Sequence, residues 1–464
     1  MKRLFNFFIK RSNVFAWITF IAFTAASILI TLNRYWQYEV FYYDFGIFDR
    51  AIWLVSQFKP PIIDHLVVGG KLIFADHFNP SIFIFSPLYW IIDKAEILLA
   101  AQSIAVGLSG FFIYKIGKII TKNLLFSLAI LTSYYLFIGL QNAVISDFHE
   151  VTVAALFTVF CFYCFLKNKK ILSLFFFILT LGFKESNFLF GAGLAVSFFF
   201  IDKRWRKFSI FLFILSIIWG VITIKLIIPY FSGGNYGYEV ELSLAEINPI
   251  DSLLGNPAKK HTVFYSLLSF GFLPILSPVF WPLIVQDLLA RFLSNRVSLG
   301  LHYSALLSVI LAISSFYGFS VLRRVKIVKK HINILSLLII LNAIFLYRFV
   351  LRGPLALAYN PDFYAHTKDF QFLDNLVSRI PLSATVMAQN NLASHFTHNK
   401  NVWVLKPDYK SYKPEYIVFD LRSGQNINNF FPTNDIPSLL QSISRDSNYS
   451  AVYNNGNQYI FKRK

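Results

Sequence analysis

The chain has 464 residues, of which 56% are apolar and only 14% are charged, whereas soluble domains carry roughly 25% charged residues. Apolar runs long enough to cross ~30 Å of hydrocarbon recur through the first three quarters of the sequence. The net charge of +19 sits largely in short Lys/Arg blocks between these runs, which is typical of cytoplasmic loops next to anionic lipid. The composition therefore predicts a polytopic α-helical membrane protein that binds membrane lipids and no nucleic acid.

The positions of the basic blocks predict about eleven spans, with a cytoplasmic N-terminus and an extracytoplasmic C-terminus. Residues 263–293 are expected either to cross twice or to re-enter without crossing. The other nine predicted spans are Val14–Leu32, Glu96–Tyr114, Leu124–Gln141, Val151–Leu166, Ile171–Phe183, Phe188–Ile201, Phe208–Tyr230, Ser304–Leu322 and Ile332–Val350.

The first outer loop, residues 33–95, carries the most informative motif, YYDFGIFDRAIW, soon after the first span. Its Asp44 is a carboxylate at the membrane surface, a position that suits a general base acting on a substrate held there. Alternatively, Asp44 caps the helix that FGIFDRAIW begins. Asp49, five residues later, is expected to be solvated or paired with Arg50.

Further polar residues of this loop precede a short apolar stretch. Asp64 and His65 lie in its middle, and Asp76 and His77 stand in the motif DHFNP. The latter pair could supply a metal ligand or hydrogen-bond donors, or could cap the following helix. Residues 80–92 are too short and too interrupted by proline for a span, so we expect an interfacial or re-entrant helix.

A second polar cluster, SDFHE, follows the third predicted span. Asp147, His149 and Glu150 combine carboxylates and an imidazole, which could bind a divalent metal ion. The alternative is a capping box with Asp147 as the N-cap and Glu150 at N3, which leaves His149 unexplained.

Three later motifs add candidates for phosphate binding. Lys184 could contact a phosphate while Glu185 orients it, or the two could form an interhelical ion pair. Arg291 could grip a phosphate bidentately, or pair with Asp287 one helical turn away. His302 stands at the outer start of a predicted span.

Two further observations restrict the chemistry. The only cysteines, Cys161 and Cys164, share one face of an apolar helix and are expected to be packing residues. The sequence contains none of the usual nucleotide-binding or soluble hydrolase motifs.

The composition changes after Arg352, and residues 353–464 are predicted to form a small α/β domain outside the membrane. Apolar runs at 384–388, 402–405 and 416–421 predict buried strands, separated by helical patterns at 368–377 and 437–444. The sequence NNGN at 454–457 predicts a hairpin turn.

These motifs resemble, in order, a bacterial family known as domain of unknown function 2079. The resemblance rests on YDFGIFDRAIW, ADHFNPSIFIFSPLYW, SDFHE, FKES, LPILSPVFWPLIVQDLLARFLSN with a following HY, and AQNNLASHF before YIVFDL. The family in turn resembles a branch of the GT-C glycosyltransferases, which is related to protein mannosyltransferases and lipid A aminoarabinose transferases.

The resemblance implies a GT-C-like membrane domain at residues 1–352, a bacterial plasma-membrane location and a polyprenyl-phosphate sugar donor. Asp44 matches the catalytic acidic position of the first loop, and His149 and Glu150 match the polar end of the loop after the third span. The first loop lacks an Asp-Glu pair because Phe45 follows Asp44, so a divalent metal ion stays an open cofactor.

The leading hypothesis is a transferase in which Asp44 deprotonates an acceptor glycan, lipid or protein, while His77, Lys184 or Arg291 stabilises the leaving phosphate. One alternative is a lipid or polymer transporter, which would carry functional charges at mid-depth in several helices. Another is an envelope assembly scaffold whose C-terminal domain recruits partners.

Overall fold

The computed structural model describes residues 10–63, 69–234, 236–237, 249–422 and 435–464; Asp64 and His65 lie outside them. Helices build the chain up to residue 350, and a small sheet follows. The helices in the first half of the chain are α1 (Ser12–Trp36), α2 (Ile47–Ser56), α3 (Glu96–Thr121), α4 (Leu124–Leu136), α5 (Ile138–Ile145), α6 (Glu150–Leu166), α7 (Lys170–Leu181), α8 (Asn187–Ile201) and α9 (Lys203–Ser232).

The next helices are α10 (Pro249–Leu254), α11 (Pro257–Leu268), α12 (Trp281–Leu293), α13 (Leu301–Leu322), α14 (Lys326–Lys330) and α15 (Ile332–Val350). The C-terminal part contains α16 (Pro361–Asp369), α17 (Phe372–Val377), α18 (Asn390–Ala393), α19 (Tyr409–Tyr412) and α20 (Asp435–Ser444). Short 3-10 helices connect several of these elements, and the longest of them covers Pro80–Trp90.

Five of the described helices are long and apolar enough to cross a membrane: α1, α3, α9, α13 and α15. The pair α4–α5, bent by 52°, makes a sixth if it counts as one span. The prediction of eleven spans is therefore not supported. Helices α7 and α8 have 12 and 15 residues, so they extend only ~18 and ~23 Å, short of the ~30 Å of hydrocarbon.

The sequence predicts more membrane spans than the described part of the structure contains, and the difference has a physical cause. An apolar run indicates burial, but it does not distinguish burial in lipid from burial against neighbouring helices. Helix α6, for example, buries residues all around its axis inside the protein. Residues 263–293 were expected to cross twice or re-enter, and they form the end of α11, two 3-10 turns and the 13-residue α12.

Close helix packing depends on small residues, as is usual between membrane helices. A Cβ atom added to Gly110 of α3 would lie 2.3 Å from the ring of Tyr135 on α4. The hydroxyl of the same tyrosine donates a hydrogen bond of 2.6 Å to the carbonyl of Gly107. Cys161 and Cys164 are both free and buried, in agreement with their expected packing role.

The C-terminal part is built on a mixed five-stranded sheet of order β4-β3-β5-β7-β6. Strands β1 (Ile62–Ile63) and β2 (Lys71–Leu72) belong to the first loop. The strands of the C-terminal sheet are β3 (Thr385–Ala388), β4 (Asn401–Val404), β5 (Tyr416–Asp420), β6 (Tyr449–Asn455) and β7 (Gln458–Arg463). Strands β3, β4 and β5 run parallel, and β7 is antiparallel to β5 and β6. All three sequence-predicted strands are present.

The turn between β6 and β7 is also as predicted. Gly456 and Asn457 have φ values of 53° and 69°, so both central residues are left-handed. Such a two-residue turn matches the twist of an antiparallel hairpin and selects Gly and Asn.

The two faces of the sheet pack against different parts of the protein because side chains alternate along a strand. Val386, Ala388 and Val418 belong to a core that is continuous with the membrane helices. Met387 and Ile417 belong to a second core. Helix α20 contributes Ile436, Leu439 and Ile443 to that second core. One face of the central strands of the sheet is therefore packed into the core that includes the membrane helices.

The orientation of the chain is a prediction that single-cysteine labelling tests. With Cys161 and Cys164 replaced by Ala, Ser447→Cys should react with a membrane-impermeant maleimide in intact cells. Lys326→Cys should react only after the cells are opened, because basic loops stay on the cytoplasmic side. The opposite pattern would reverse the proposed topology.

Candidate functional site

Asp44 lies in a single π-helical turn, Tyr42–Gly46, that joins α1 to α2. The backbone on both sides of it is fixed by side chains from distant parts of the chain. The amide of Phe41 donates to Oδ2 of Asp147 at 3.0 Å, and the amide of Tyr43 donates to Oδ1 of Asn390 at 3.1 Å. The Asp44 side chain itself remains 57% exposed. A carboxylate is thereby presented at the surface from a rigid turn.

The alternative roles as helix caps are not observed. Gly46 is the N-cap of α2 and no side chain caps this helix, so Asp44 is not a capping residue. His149 is the N-cap of α6, again without a side-chain cap. Asp147 bonds the amide of Phe41 instead, so the predicted capping box with Glu150 does not form.

His149 contacts Asp44 directly. Its Nε2 lies 3.6 Å from Oδ1 of Asp44, although the two residues are 105 positions apart. Nδ1 lies 2.7 Å from the carbonyl oxygen of Asp147, which can only accept, so Nδ1 donates and Nε2 faces the carboxylate. The backbone amide of His149 donates to Oε1 of the buried Gln102 at 2.9 Å. The imidazole is therefore held in one orientation.

Four more side chains complete what we call the Asp44 cluster: those of His302, Lys184, Glu150 and Glu185. They lie on the buried side of the Asp44–His149 pair. The ring of His302 stacks on the ring of His149 with 3.6 Å between centroids. Lys184, one-fifth exposed, places Nζ 2.9 Å from Oε1 of the buried Glu150. Lys184 therefore pairs with Glu150 rather than with Glu185, the partner that the sequence suggested, because Glu185 contacts His77 instead.

Glu185 is fully buried and takes three hydrogen bonds. Nδ1 of His77 lies 2.9 Å from Oε1, the amide of Phe78 donates to Oε2 at 3.1 Å, and the hydroxyl of Tyr236 donates to Oε1 at 2.6 Å. Burial by itself would raise the pKa of Glu185, but His77, Lys184 and Tyr236 lower it to about 2. Glu185 is therefore an ionised anchor for the loop that carries His77.

Charges in the cluster influence one another. Burial by itself would lower the pKa of Lys184, but Glu150, Glu185 and Asp76 raise it above its usual value. Burial by itself would raise the pKa of Asp44, but His149, Arg296 and Lys184 lower it below its usual value. The site therefore combines an ionised, exposed carboxylate with nearby cations.

The pKa of His149 is shifted in the opposite direction to the pKa of Asp44. Burial by itself would lower the pKa of His149, but the Asp44 carboxylate, Glu150 and the Asp147 carbonyl raise it above its usual value. Asp44 and His149 thus stabilise each other's charged forms.

The segment after α12 provides a cation that the sequence analysis missed. Arg291, within α12, is not that cation: it is buried, lies 3.8 Å from Asp287 and donates to the carbonyl of Ser298 at 2.6 Å. Of the two roles considered for Arg291, this geometry agrees with the ion pair with Asp287. Arg296 is exposed and stacks over the ring of Tyr303 at 4.6 Å. Its proximity lowers the pKa of Asp44. The only sign of this residue in the sequence is its position directly after the LSN that ends the motif LPILSPVFWPLIVQDLLARFLSN.

A second missed cluster surrounds Asp49. The expectation of a solvated residue or an Asp49–Arg50 pair is wrong, because Asp49 is fully buried and contacts His398 at 3.3 Å. The hydroxyl of Tyr89 donates to its other oxygen. His398 also lies 3.2 Å from Asp93, which accepts a further bond from the indole of Trp53. This cluster joins the first loop to the C-terminal domain.

Arg50, next in sequence, is buried and bonds three backbone carbonyls of one loop. Its guanidinium donates to the carbonyls of Thr397, Asn399 and Lys400 at 2.7, 2.9 and 3.0 Å. Helix α2 is thereby fixed to this loop of the C-terminal domain.

A divalent metal ion was an open expectation from SDFHE and DHFNP. Across residues 10–63, 69–234, 236–237, 249–422 and 435–464, no group of three or more His, Cys, Asp or Glu side chains is arranged to hold a metal ion. Asp44 and His149 form a contacting pair, whereas Asp147 accepts a hydrogen bond from the amide of Phe41.

Apolar helices of spanning length, ionised groups gathered at helix ends and a docked α/β domain define a polytopic membrane protein. The chain belongs to the family described as predicted membrane protein (DUF2079), which matches residues 34–460. This match extends from the end of α1 to the last strand and includes both clusters. A search of curated proteins found no match to the chain.

The buried Glu150–Lys184 pair should contribute measurably to stability. Glu150→Gln and Lys184→Met each leave one charge without its closest partner, while the double variant removes both charges. Unfolding in SDS-containing micelles should give a coupling energy of about 2 kcal/mol between the two positions. The exposed pair Asp202–Arg204 is the control, and it should show much smaller coupling because solvent screens it. Equal coupling in the two pairs would contradict the structural role of Lys184.

Proposed function

We propose that the protein is a membrane glycosyltransferase that moves a sugar from a polyprenyl-phosphate donor to an acceptor hydroxyl at the membrane face where Asp44 lies. One observation carries the proposal: the exposed Asp44 contacts an oriented histidine, and this histidine together with the charges of Arg296 and Lys184 lowers the pKa of the carboxyl. A base beside cations is the arrangement that a displacement with a phosphate leaving group requires.

In this mechanism Asp44 is the general base. The acceptor oxygen attacks the anomeric carbon of the donor, and its proton passes to the Asp44 carboxylate. The bond between the anomeric carbon and the phosphate oxygen breaks, and polyprenyl phosphate leaves with the electron pair. The contact with His149 keeps Asp44 ionised and positioned for the incoming hydroxyl.

The leaving phosphate gains negative charge, and cationic groups near Asp44 would stabilise it. We assign this role first to Arg296, because it is exposed and acts on Asp44. Lys184 and His77 come next, although each is engaged with a glutamate. Arg291 is a weaker candidate because Asp287 and Ser298 already hold its guanidinium. His302 supports the imidazole of His149 by stacking.

The alternatives from the sequence differ in what they require. A transporter would use charges along a path through the helices, whereas the contacts that support our proposal gather at helix ends. A scaffold would not need an ionised Asp44. Both alternatives predict no chemical turnover of the donor.

Asp44→Asn should reduce transfer roughly 10²–10⁴-fold, because the amide keeps the shape but cannot accept the proton. The measurement is release of free polyprenyl phosphate from a panel of radiolabelled polyprenyl-phosphate hexoses by membranes containing the protein. Glu39→Gln is the matched control, since Glu39 is also a partly exposed first-loop carboxylate in contact with a cationic side chain, that of Arg34. Near-full turnover by the Asp44 variant would remove Asp44 from the mechanism.

His149→Gln should move the acidic limb of the pH–rate profile to higher pH. The histidine lowers the pKa of Asp44, so the wild-type base stays ionised at lower pH, and its removal lets Asp44 protonate earlier as pH falls. A purely structural role of His149 would lower the rate at every pH without moving the limb. An unmoved limb would therefore contradict the proposed coupling.

A further inference from the structure

A groove lies between the first loop and the C-terminal domain, at the far end of α2 from Asp44. Its volume is about 560 Å³, within the range of sites for small molecules or short oligomers. It is open to solvent, and its lining includes Arg50, Lys59, Lys400, Trp403 and Tyr412.

All charged residues among the described lining of the groove are cationic. Arg50, Lys59 and Lys400 are cationic, and none of the described lining residues is Asp or Glu. Both lysines are exposed, and neither forms an ion pair within the part of the chain that the structure describes. Arg50 is held by three carbonyls, so the wall that it shares with Lys400 is fixed in position. The groove is thus prepared for an anion.

Aromatic residues form another part of the groove. Trp403 and Tyr412 meet edge to face with 5.7 Å between ring centroids. Trp403 is 7% exposed, and its indole N–H has no hydrogen-bond partner among the described residues. A buried donor without an acceptor is costly, and a ligand oxygen would satisfy it. Aromatic surface beside hydrogen-bond donors suits rings that have both apolar faces and hydroxyl groups.

We propose that this groove binds an anionic oligosaccharide, a chain of sugars that carries carboxylate or phosphate groups. The exposed Lys59 and Lys400 would pair with its acidic groups, while the aromatic side chains pack against its sugar rings. The proposal rests on the proposed transferase, because such a chain would be the acceptor. Helix α2 is ten residues, or ~15 Å, long, so a chain lying along it would join the groove to Asp44.

Anionic lipid is the competing occupant, because Phe58 and Trp90 lie nearby, exposed and stacked at 5.9 Å. A lipid headgroup, however, needs only exposed cations at the membrane surface. The concave shape, the aromatic pair and the unpartnered indole favour the oligosaccharide.

The test uses the full-length protein in nanodiscs of phosphatidylcholine, with tetragalacturonate as the anionic probe and maltotetraose as the neutral one. Calorimetry should detect tetragalacturonate binding that weakens with salt, and much weaker maltotetraose binding. Lys59→Gln with Lys400→Gln should weaken tetragalacturonate binding roughly tenfold, since each exposed charge contributes modestly. Trp403→Phe, which keeps an aromatic ring but removes the N–H, should also weaken it.

The matched control is Lys94→Gln with Lys368→Gln, which removes one exposed lysine from the first loop and one from the C-terminal domain. This pair lies outside the groove and should bind like the unmodified protein. Equal weakening in both double variants, or no tetragalacturonate binding, would overturn the proposal. Binding to phosphatidylglycerol vesicles that depends on Lys59 and Lys400, without oligosaccharide binding, would reassign the groove to lipid.

Failure of the groove and failure of the transferase give different results. Donor turnover without oligosaccharide binding would leave the transferase intact and reject the groove. Binding without donor turnover by the unmodified protein would support the groove and reject the transferase.

Discussion

The site depends above all on the burial of two consecutive charged residues of α2, Asp49 and Arg50, against one loop of the C-terminal domain. Buried charges are stable only when paired or hydrogen-bonded, and here the partners are His398 and the carbonyls of Thr397, Asn399 and Lys400. A shift of α2 along its axis would leave both charges without these partners. The helix therefore has a single position, and the turn that carries Asp44 at its start is fixed with it.

The same constraint gives the C-terminal domain a part in the membrane site. Its sheet shares a core with the helices, and Asn390 bonds the backbone next to Asp44. From the other side, Asp147 bonds the amide of Phe41. Asp44 is thus held between residues that are about 100 and 350 positions away, which explains how an exposed loop residue keeps a defined geometry.

Opposite charges alternate inward from Asp44. His149 follows it, then Glu150 with Lys184, and finally Glu185 with His77. Each buried charge has an oppositely charged or hydrogen-bonding neighbour, which offsets part of its desolvation cost. Asp44 is the end that remains accessible, and Arg296 supplies exposed positive charge near it. The cluster therefore has one reactive face and an inner part that positions it.

The sequence by itself determined the membrane class, the long apolar helices, the three buried strands and the Gly-Asn hairpin turn, because these follow from local periodicity and turn chemistry. It also identified Asp44, His149 and Lys184 as polar residues at helix ends. The tertiary structure decided which polar groups meet. Asp49 contacts His398 across almost 350 residues, and the charge of Arg296, which stacks over Tyr303, also lowers the pKa of Asp44. It also decided the number of spanning helices, because an apolar run has the same composition whether lipid or protein surrounds it.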